Sequence, residues 1–471
     1  MKLFDNLIDT KLFRMMSEVA GENELDLWLI GGYVRDLFLR RNSKDIDIVV
    51  LGNGIETAKK IAKHLHADHL SIFKNFGTAQ IQYQGHEIEI VGARKESYRA
   101  DSRKPLVENG SLADDQNRRD FTINAMALSL NPKNFGLLTD PFDGMRDLQN
   151  KTIKTPLEPE KTFSDDPLRM LRAIRFASQL DFNIEEKTFL GIVNTASRIS
   201  IISEERIVEE LNKIMCSDNP AKGILLLEKA GLLEIILPEL HALSGVEVQN
   251  NTAHKDNFRH SVQVLRNLSE TSDELWLRWA ALLHDVGKTS TKRYVDGVGW
   301  TFYAHDMRGE KLVRKVFRRL KLPLDERLKY VQKIVRLHMR PIALVEETVT
   351  DSAIRRLLFD AGNDVDDLMT LCEADITSKN QIKKEKYLNN FRHVRRKLHE
   401  IEEKDRIRNF QPPIDGEEIM KTFNIQPSRE VGQLKDAIKE AILDGEIPNE
   451  YDAARKFMFE KAKSLGLSVK E

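Results

Sequence analysis

Hydrophobic periodicity changes character once along this 471-residue chain, and that change constrains the fold more than any other feature. Side chains alternate with period 2 on a strand and with period 3.6 on a helix. Up to about residue 150 both patterns occur. Leu27–Ile30 reads as a short strand running into Gly31-Gly32, and Tyr33–Arg40 as one or two helical turns. Asp45–Val50 reads as a second strand, with Ile46 and Ile48 alternating against Asp45 and Asp47. Ala79–Tyr83 and Glu87–Val91 suggest a hairpin around Gln84-Gly85, and Phe121–Leu130 a helix. From Asp165 onward the spacing is almost all helical, as in Asp166–Gln179, Glu204–Met215 and Lys222–Ala230, with Pro220, Pro238 and Pro323 as punctuation. Gln411-Pro412-Pro413 predicts a linker ahead of helices around Gly416–Thr422 and Val431–Leu443. The expected class is α+β, a small mixed-sheet head followed by an all-helical remainder.

Composition narrows the partners. With 41% hydrophobic and 31% charged residues, 24 Gly and 14 Pro, the chain is a folded, helix-rich protein and not a disordered or collagen-like one. At roughly 100–200 residues per domain, three or four domains are expected. The two cysteines, Cys216 and Cys372, exclude a disulfide framework and a thiolate zinc site, and they fit a reducing cytosol. Charged residues interrupt Met1–Ala20, so no signal peptide is expected, and no apolar run is long enough for a membrane span. A cytoplasmic location with no membrane partner is the expectation. The net charge of −1 argues against wholesale coating of nucleic acid, but leaves local basic surfaces such as Arg314–Lys321 open.

The first chemical constellation begins at Gly31-Gly32-Tyr33-Val34-Arg35-Asp36, where a strand turns into a helix. Glycines there admit a phosphate to the backbone, and a helix start offers free N–H donors. Asp45 and Asp47, two apart on a strand, project to one face. Paired carboxylates repel unless a cation lies between them, and Mg²⁺ prefers oxygen ligands shared with substrate phosphates. A solvent-facing strand edge would carry the same pair in isolation; the Gly–Gly turn upstream favours the metal. Glu89 alternates with Ile88 and Ile90 and can supply a third carboxylate, and Glu87 shares its face. In Arg118-Arg119-Asp120-Phe121-Thr122-Ile123-Asn124, the arginines and aspartate suit phosphate and ribose contacts. Asp166 and Arg169 open a helix on which Arg172 and Arg175 recur, and the first two can form an acceptor–donor edge for a nucleobase.

These blocks, in this order, resemble the class II tRNA nucleotidyltransferases, the CCA-adding enzymes of the polymerase-β superfamily. Asp140-Pro141-Phe142-Asp143-Gly144 is similar to their flexible motif, and Ser203–Arg206 with Glu209 to their neck motif. The resemblance implies Mg²⁺ on Asp45 and Asp47, with Glu89 as third carboxylate. It places the triphosphate on Gly31, Gly32 and Arg35, and sugar and phosphates on Arg118, Arg119, Asp120 and Asn124. Asp166 and Arg169 would select C or A, and Arg172 and Arg175 would add nucleotide or RNA contacts. CTP, ATP and tRNA are the implied partners. Position 165 carries Asp where the family usually has Glu. Bacterial poly(A) polymerases share the architecture, but Lys74-Asn75-Phe76-Gly77-Thr78 looks more like the tRNA enzymes. An enzyme adding only A or only C stays compatible with these motifs.

A second constellation is His260, His284-Asp285, His305, His338 and Asp375. His284-Asp285 follows the apolar run Trp279–Leu283, and burying such a pair costs desolvation unless it is paired or binds metal. The ordered set resembles the HD phosphohydrolases. That resemblance implies a transition metal or Mg²⁺ on His260, His284, Asp285 and Asp375. His305, His338 and Lys288 would serve a second metal or the substrate phosphate. The implied domains are a catalytic head at 1–150, a helical neck at 151–242, an HD body at 243–380 and a tRNA-docking tail at 381–471. A metal-dependent phosphohydrolase acting on RNA-end or nucleotide phosphates is the alternative from another class. Monomer and homodimer are both compatible with the sequence.

Overall fold

A computed structural model describes residues 4–8, 10–74, 77–99, 102–250, 252–346, 350–378, 380–405, 407–408 and 410–467. Asn75 and Phe76 of the Lys74–Thr78 element therefore lie outside the described residues. The chain divides into two compact units, Met1–Ile236 and Leu237–Glu471.

The first unit carries nine strands that bear on the site: β1 (Leu27–Ile30), β2 (Asp45–Val50), β3 (His69–Phe73), β4 (Thr78–Tyr83), β5 (His86–Gly92), β6 (Arg94–Arg99), β7 (Ser102–Asn109), β8 (Ala127–Ser129) and β9 (Leu138–Thr139). Seven of them form one sheet in the order β3-β4-β5-β2-β1-β8-β9, while β6 and β7 pair separately. The sheet is mixed: β2 and β5 run parallel, and β1 and β2 antiparallel. The alternation read from the sequence holds. Ile46, Ile48, Ile88 and Ile90 are fully buried on one face, and the acidic residues between them stay on the other. Helix Gly54–Leu65 packs on β4 and β5 through Ala58, Ile61 and Leu65, and Asn53 caps it by accepting from Ile55 N and Glu56 N. Each buried aliphatic side chain of this kind stabilises the head by about 1.5–3 kcal/mol.

Phe121–Leu130 is not one helix. Thr122–Asn124 makes a single 3₁₀ turn and β8 follows, paired with β1. Ala127, Leu128, Ser129 and Leu130 are all buried, so both strand faces are covered and no alternation survives in the sequence. A short apolar run of that sort reads equally as helix or as fully buried strand.

Beyond β9 the unit is helical apart from a parallel pair at Thr152–Ile153 and Asn183–Ile184. The Leu168–Gln179 helix buries Leu171, Ile174 and Phe176, and packs on Glu204–Met215 and Pro220–Lys229. The second unit is helical but also holds two hairpins the sequence reading passed over, Val248–Gln249 with Thr252–Ala253 and Arg293–Val295 with Gly299–Thr301. The latter turns through Gly297 at φ 79°, and Tyr294 pairs edge-on with Trp300 across it. Aspartate–glycine between short apolar runs is a hairpin signal that helical spacing masked.

Candidate active site and candidate metal centre

In the first unit, β2, β4 and β5, the glycine turn after β1 and the Leu168–Gln179 helix line a cleft of about 1120 Å³. Parallel register sets Asp45 beside Glu87 and Asp47 beside Glu89, and all four line the cleft. Burial, then the charges of Glu89 and Asp45, push the Asp47 carboxyl above its usual range, against the pull of Arg119. A cation relieves that repulsion, so this donor set fits a divalent ion that prefers oxygen. Gly31 is required twice over. Its φ of 79° belongs to the left-handed region, and a Cβ there would lie 2.6 Å from Asp47 Oδ2.

The facing wall is a chain of guanidinium–carboxylate pairs. Fully buried Asp115 accepts from Arg118 Nε at 2.9 Å and from Arg119 Nε and Nη2 at 3.1 and 3.0 Å. Asp120 accepts from Asn124 Nδ2 at 3.0 Å, Phe121 N at 2.9 Å and Arg172 Nε at 2.7 Å. Burial alone would raise the Asp120 carboxyl, but Arg172 and Asn124 hold it well below the carboxylate range. Arg35 reaches Asn124 Oδ1 at 3.0 Å and is clamped by Asp36. Arg175 is buried with Glu210, 3.0 Å apart. The Phe176 ring sits among three of these cations, with Arg175, Arg35 and Arg172 at 4.3, 4.9 and 5.5 Å from its centroid.

Of the residues singled out in the sequence, Gly31, Gly32, Arg35, Asp45, Asp47, Glu89, Arg118, Arg119, Asp120, Asn124, Asp166, Arg169, Arg172 and Arg175 all line this cleft. Asp166 and Arg169 do so through different bonds. Asp166 accepts from Leu168 N at 3.2 Å, while Arg169 Nη2 donates to the Arg118 carbonyl at 2.6 Å. Asp165 closes the preceding Pro159–Asp165 helix. Asp140 accepts from Gly144 N and Met145 N at 2.7 and 2.9 Å, so its motif caps a helix. Sequence reasoning missed Asp115, Phe176, Glu210, Gln80 and Arg41. Asp115 was accessible, since it precedes Arg118 and Arg119 by one helical turn.

In the second unit, His284, His338 and Asp375 each stand one residue past a helix end, after Leu275–Leu283, Glu326–Leu337 and Val365–Ala374. Helix C-termini carry partial negative charge and favour a cation. His284 Nδ1, His305 Nδ1 and His338 Nδ1 pair with the carbonyls of Ala281, Phe302 and Val335 at 2.8, 2.9 and 2.7 Å, which aims each Nε2 at Asp285. Asp285 lies 3.3 Å from His284 Nε2, 3.4 Å from His305 Nε2 and 3.6 Å from His260 Nε2. His260 Nε2 meets Asp375 Oδ1 at 2.8 Å, and Lys288 Nζ meets Asp285 at 2.6 Å. Two ligand triads result, His260–His284–Asp285 and Asp285–His305–His338, sharing one carboxylate. His284 Nε2 is buried without a well-aligned hydrogen-bond partner among the described residues. A ring held by its outer nitrogen, with an orphaned inner one, is the arrangement a metal ligand needs. Burial and neighbouring imidazoles hold His338 down to about 4, so the ring stays neutral.

Comparisons agree with this layout. Residues 27–154 match the poly A polymerase head domain, 181–243 the probable RNA and SrmB-binding site of polymerase A, and 257–380 the HD domain. The A-adding tRNA nucleotidyltransferase of Deinococcus radiodurans is 33% identical over 74% of this chain and 79% of its own length. The multifunctional CCA protein of Legionella pneumophila (strain Lens) is 33% identical over 64% of this chain and 72% of its own. Two A-adding tRNA nucleotidyltransferases, from Aquifex aeolicus and Geobacter sulfurreducens, are 38% identical over 45% and 49% of this chain, which spans 26% of each of them. The Thermotoga maritima CCA-adding enzyme complexed with tRNA shares the fold, with a TM-score of 0.63, 24% identity and coverage of 98% of this chain and 100% of its own. Among the described residues no helix is long and apolar enough to cross a membrane. On the strength of relatives matched over most of their length, the chain belongs to the tRNA nucleotidyltransferases.

Proposed function

We propose that the head cleft adds C and A nucleotides to tRNA 3′ ends from CTP and ATP, without a template and with release of pyrophosphate. The observation that carries this reading is one cleft with four carboxylates on its sheet wall and a run of fixed arginines facing them. Asp45 and Asp47 hold Mg²⁺, with Glu89 as the third carboxylate. Bound Mg²⁺ would activate the attacking 3′-hydroxyl and neutralise the leaving pyrophosphate. The chain's own residues supply the positioning. Gly31 and Gly32 keep the backbone open to the triphosphate, and Arg35, Arg118 and Arg119 balance its charge. Asp120 and Asn124 anchor the sugar side. Asp166 and Arg169 select the base, and Arg172, held by Asp120, adds a further cation to the same cleft. Arg119 and Arg172 remain charged because burial is outweighed by Asp115 and Asp120 respectively. Such catalysis is mainly orientation and charge neutralisation. The 381–471 tail docks the tRNA through phosphates, and the activity places the protein in the cytoplasm.

One assay tests it. tRNAs truncated at each of the three terminal positions are offered CTP and ATP separately, to the wild type and to Asp45→Ala. The wild type adds C from CTP to tRNAs lacking one or both terminal cytidines and A from ATP to tRNA ending in CC, and Asp45→Ala loses at least about a thousandfold in rate. Unimpaired addition by Asp45→Ala would overturn the metal assignment. A second reading, addition of A alone, is favoured by the names of the A-adding relatives. It predicts ATP incorporation on tRNA ending in CC and no CTP incorporation.

We further propose that the second unit's shared-carboxylate cluster holds divalent metal and hydrolyses phosphate esters. His260, His284, Asp285 and Asp375 hold the ion, and His305 and His338 complete a second site on Asp285. Lys288, on Asp285 at 2.6 Å, stands ready for the phosphate.

A further inference from the structure

The short helix Leu112–Asn117 contributes nothing to the lining of the head cleft, yet one of its side chains fixes two of the arginines that do line it. Two features pin this helix without involving an arginine. Ser111 caps its start in a reciprocal box with Asp114, and Gln116 donates to the carbonyls of Ala125 and Thr139 at 2.7 and 3.2 Å. Asp115, fully buried, is thereby held in place, and it divides its carboxylate. Oδ1 takes Arg118, and Oδ2 takes both Nε and Nη2 of Arg119. The third nitrogen of Arg119 lies at the metal corner of the cleft. A Cβ placed on Gly31 would meet two groups at once, Asp47 Oδ2 at 2.6 Å and Arg119 Nη1 at 3.1 Å. The guanidinium is near enough to reach Asp47 by a small side-chain rotation, yet among the described residues no ion pair joins the two.

That separation is not what charge alone favours. Asp47 stands with Asp45 on its own strand and Glu89 across the register, whereas Asp115 already serves Arg118. An untethered guanidinium would move to the larger anionic cluster, and a forked pair with Asp47 would occupy the oxygens that a divalent ion needs. We propose that Asp115 is a positioning residue that keeps Arg119 off Asp47, leaving that carboxylate to the metal and the free edge of the guanidinium to the triphosphate. This rests on the reading of Asp45 and Asp47 as metal holders. It gives a buried carboxylate outside the cleft a part in metal loading, although it supplies no ligand. Removing the charge of Asp115 should weaken metal binding, and the loss should vanish when Arg119 is removed as well.

The test titrates the full chain with Mn²⁺, without nucleotide, and reads free Mn²⁺ by its electron paramagnetic resonance signal. The Asp45→Ala/Asp47→Ala chain gives the Mn²⁺ bound elsewhere, and the difference is the head site. Binding of CTP in EDTA, measured by equilibrium dialysis, reports on Arg119 separately, and circular dichroism shows that each variant is folded. Asp115→Asn keeps the side-chain size and one acceptor oxygen. It is expected to weaken head-site Mn²⁺ about tenfold, the lower end of what a partner outside the ligand shell is worth. Its CTP binding should fall as well. In Asp115→Asn/Arg119→Gln, Mn²⁺ affinity should return to the wild-type value while CTP binding stays low, a rescue that a part in packing alone does not give. If Asp115→Asn does not fold, Arg119→Lys carries the test with Asp115 intact. Its unforked ammonium grips Asp115 less well and should lower Mn²⁺ affinity relative to Arg119→Gln. Wild-type Mn²⁺ affinity in Asp115→Asn, a double variant as weak as the single one, or equal affinity in the lysine and glutamine variants overturns the proposal and leaves the metal reading standing. Unchanged Mn²⁺ binding in Asp45→Ala/Asp47→Ala defeats the metal reading and the proposal with it.

Discussion

The head cleft and the histidine cluster both gather buried charge, but they hold it in place by different means. In the cleft, side chain fixes side chain across long sequence separations: Asp120 with Arg172, Arg175 with Glu210, Arg35 with Asn124. In the cluster, backbone fixes side chain locally: three imidazoles are tied to a carbonyl three residues earlier, and a single aspartate lies among all of them. The first design spreads its dependence over many pairs. The second orients its ligands independently and concentrates dependence on Asp285.

That contrast is broken most directly at Asp285. Asp285→Ala should empty both metal sites, whereas His338→Ala should empty one and leave His260, His284, Asp285 and Asp375 to hold the other. Metal content per chain after dialysis measures this, with the helical circular dichroism signal showing that each variant is folded. Removing a metal ligand outright is the larger loss, since even outer partners of ligands are worth about 10–100-fold in affinity. Equal metal content in the two variants would show that Asp285 is not shared.

The cleft should instead respond in stability. Arg175 and Glu210 are 10% and 4% exposed, and Arg175 keeps its charge against a burial that pulls it down. Glu210→Ala strands that cation, at a cost of about 3–5 kcal/mol, read as a lowered urea midpoint. The double change Arg175→Met/Glu210→Met should recover most of the loss, because a buried pair replaced by apolar groups of similar size is often near neutral. A Glu210→Ala variant as stable as the wild type would mean that water reaches Arg175.

How far each design was legible in the sequence follows from the same contrast. Asp45 and Asp47 could be read because strand alternation is local, and His284-Asp285 because it terminates an apolar helix. The mixed sheet was legible wherever one face is polar, and failed at Ala127–Leu130 where both faces are covered. Glu210 gave no signal: its partner is 35 residues away, and a glutamate on an amphipathic helix reads as a solvated residue until the two helices pack. Phe176 is buried on an amphipathic helix, and nothing local to it in the sequence shows that three guanidinium groups converge on its ring.

Phe176 supplies the smallest and most selective test of the comparison. Each cation–π contact at a largely desolvated site contributes about 0.5–2 kcal/mol, and the ring face cannot serve all three guanidinium groups equally. Phe176→Leu keeps much of the buried apolar volume and removes the π-face. The arginines retain their carboxylate partners, so the fold should persist. What loosens is the angle at which Arg35 and Arg172 face the cleft. The expected outcome is a rise of about three- to tenfold in KM for CTP and ATP, with a smaller change in kcat and a urea midpoint close to that of the wild type. Phe176→Tyr, which restores the ring, should return KM towards the wild-type value, and Phe176→Met should behave like the leucine variant. A leucine variant that loses stability but not nucleotide affinity would assign the ring to packing alone, and the cleft's arginines would then be positioned by their carboxylates without help from the aromatic face.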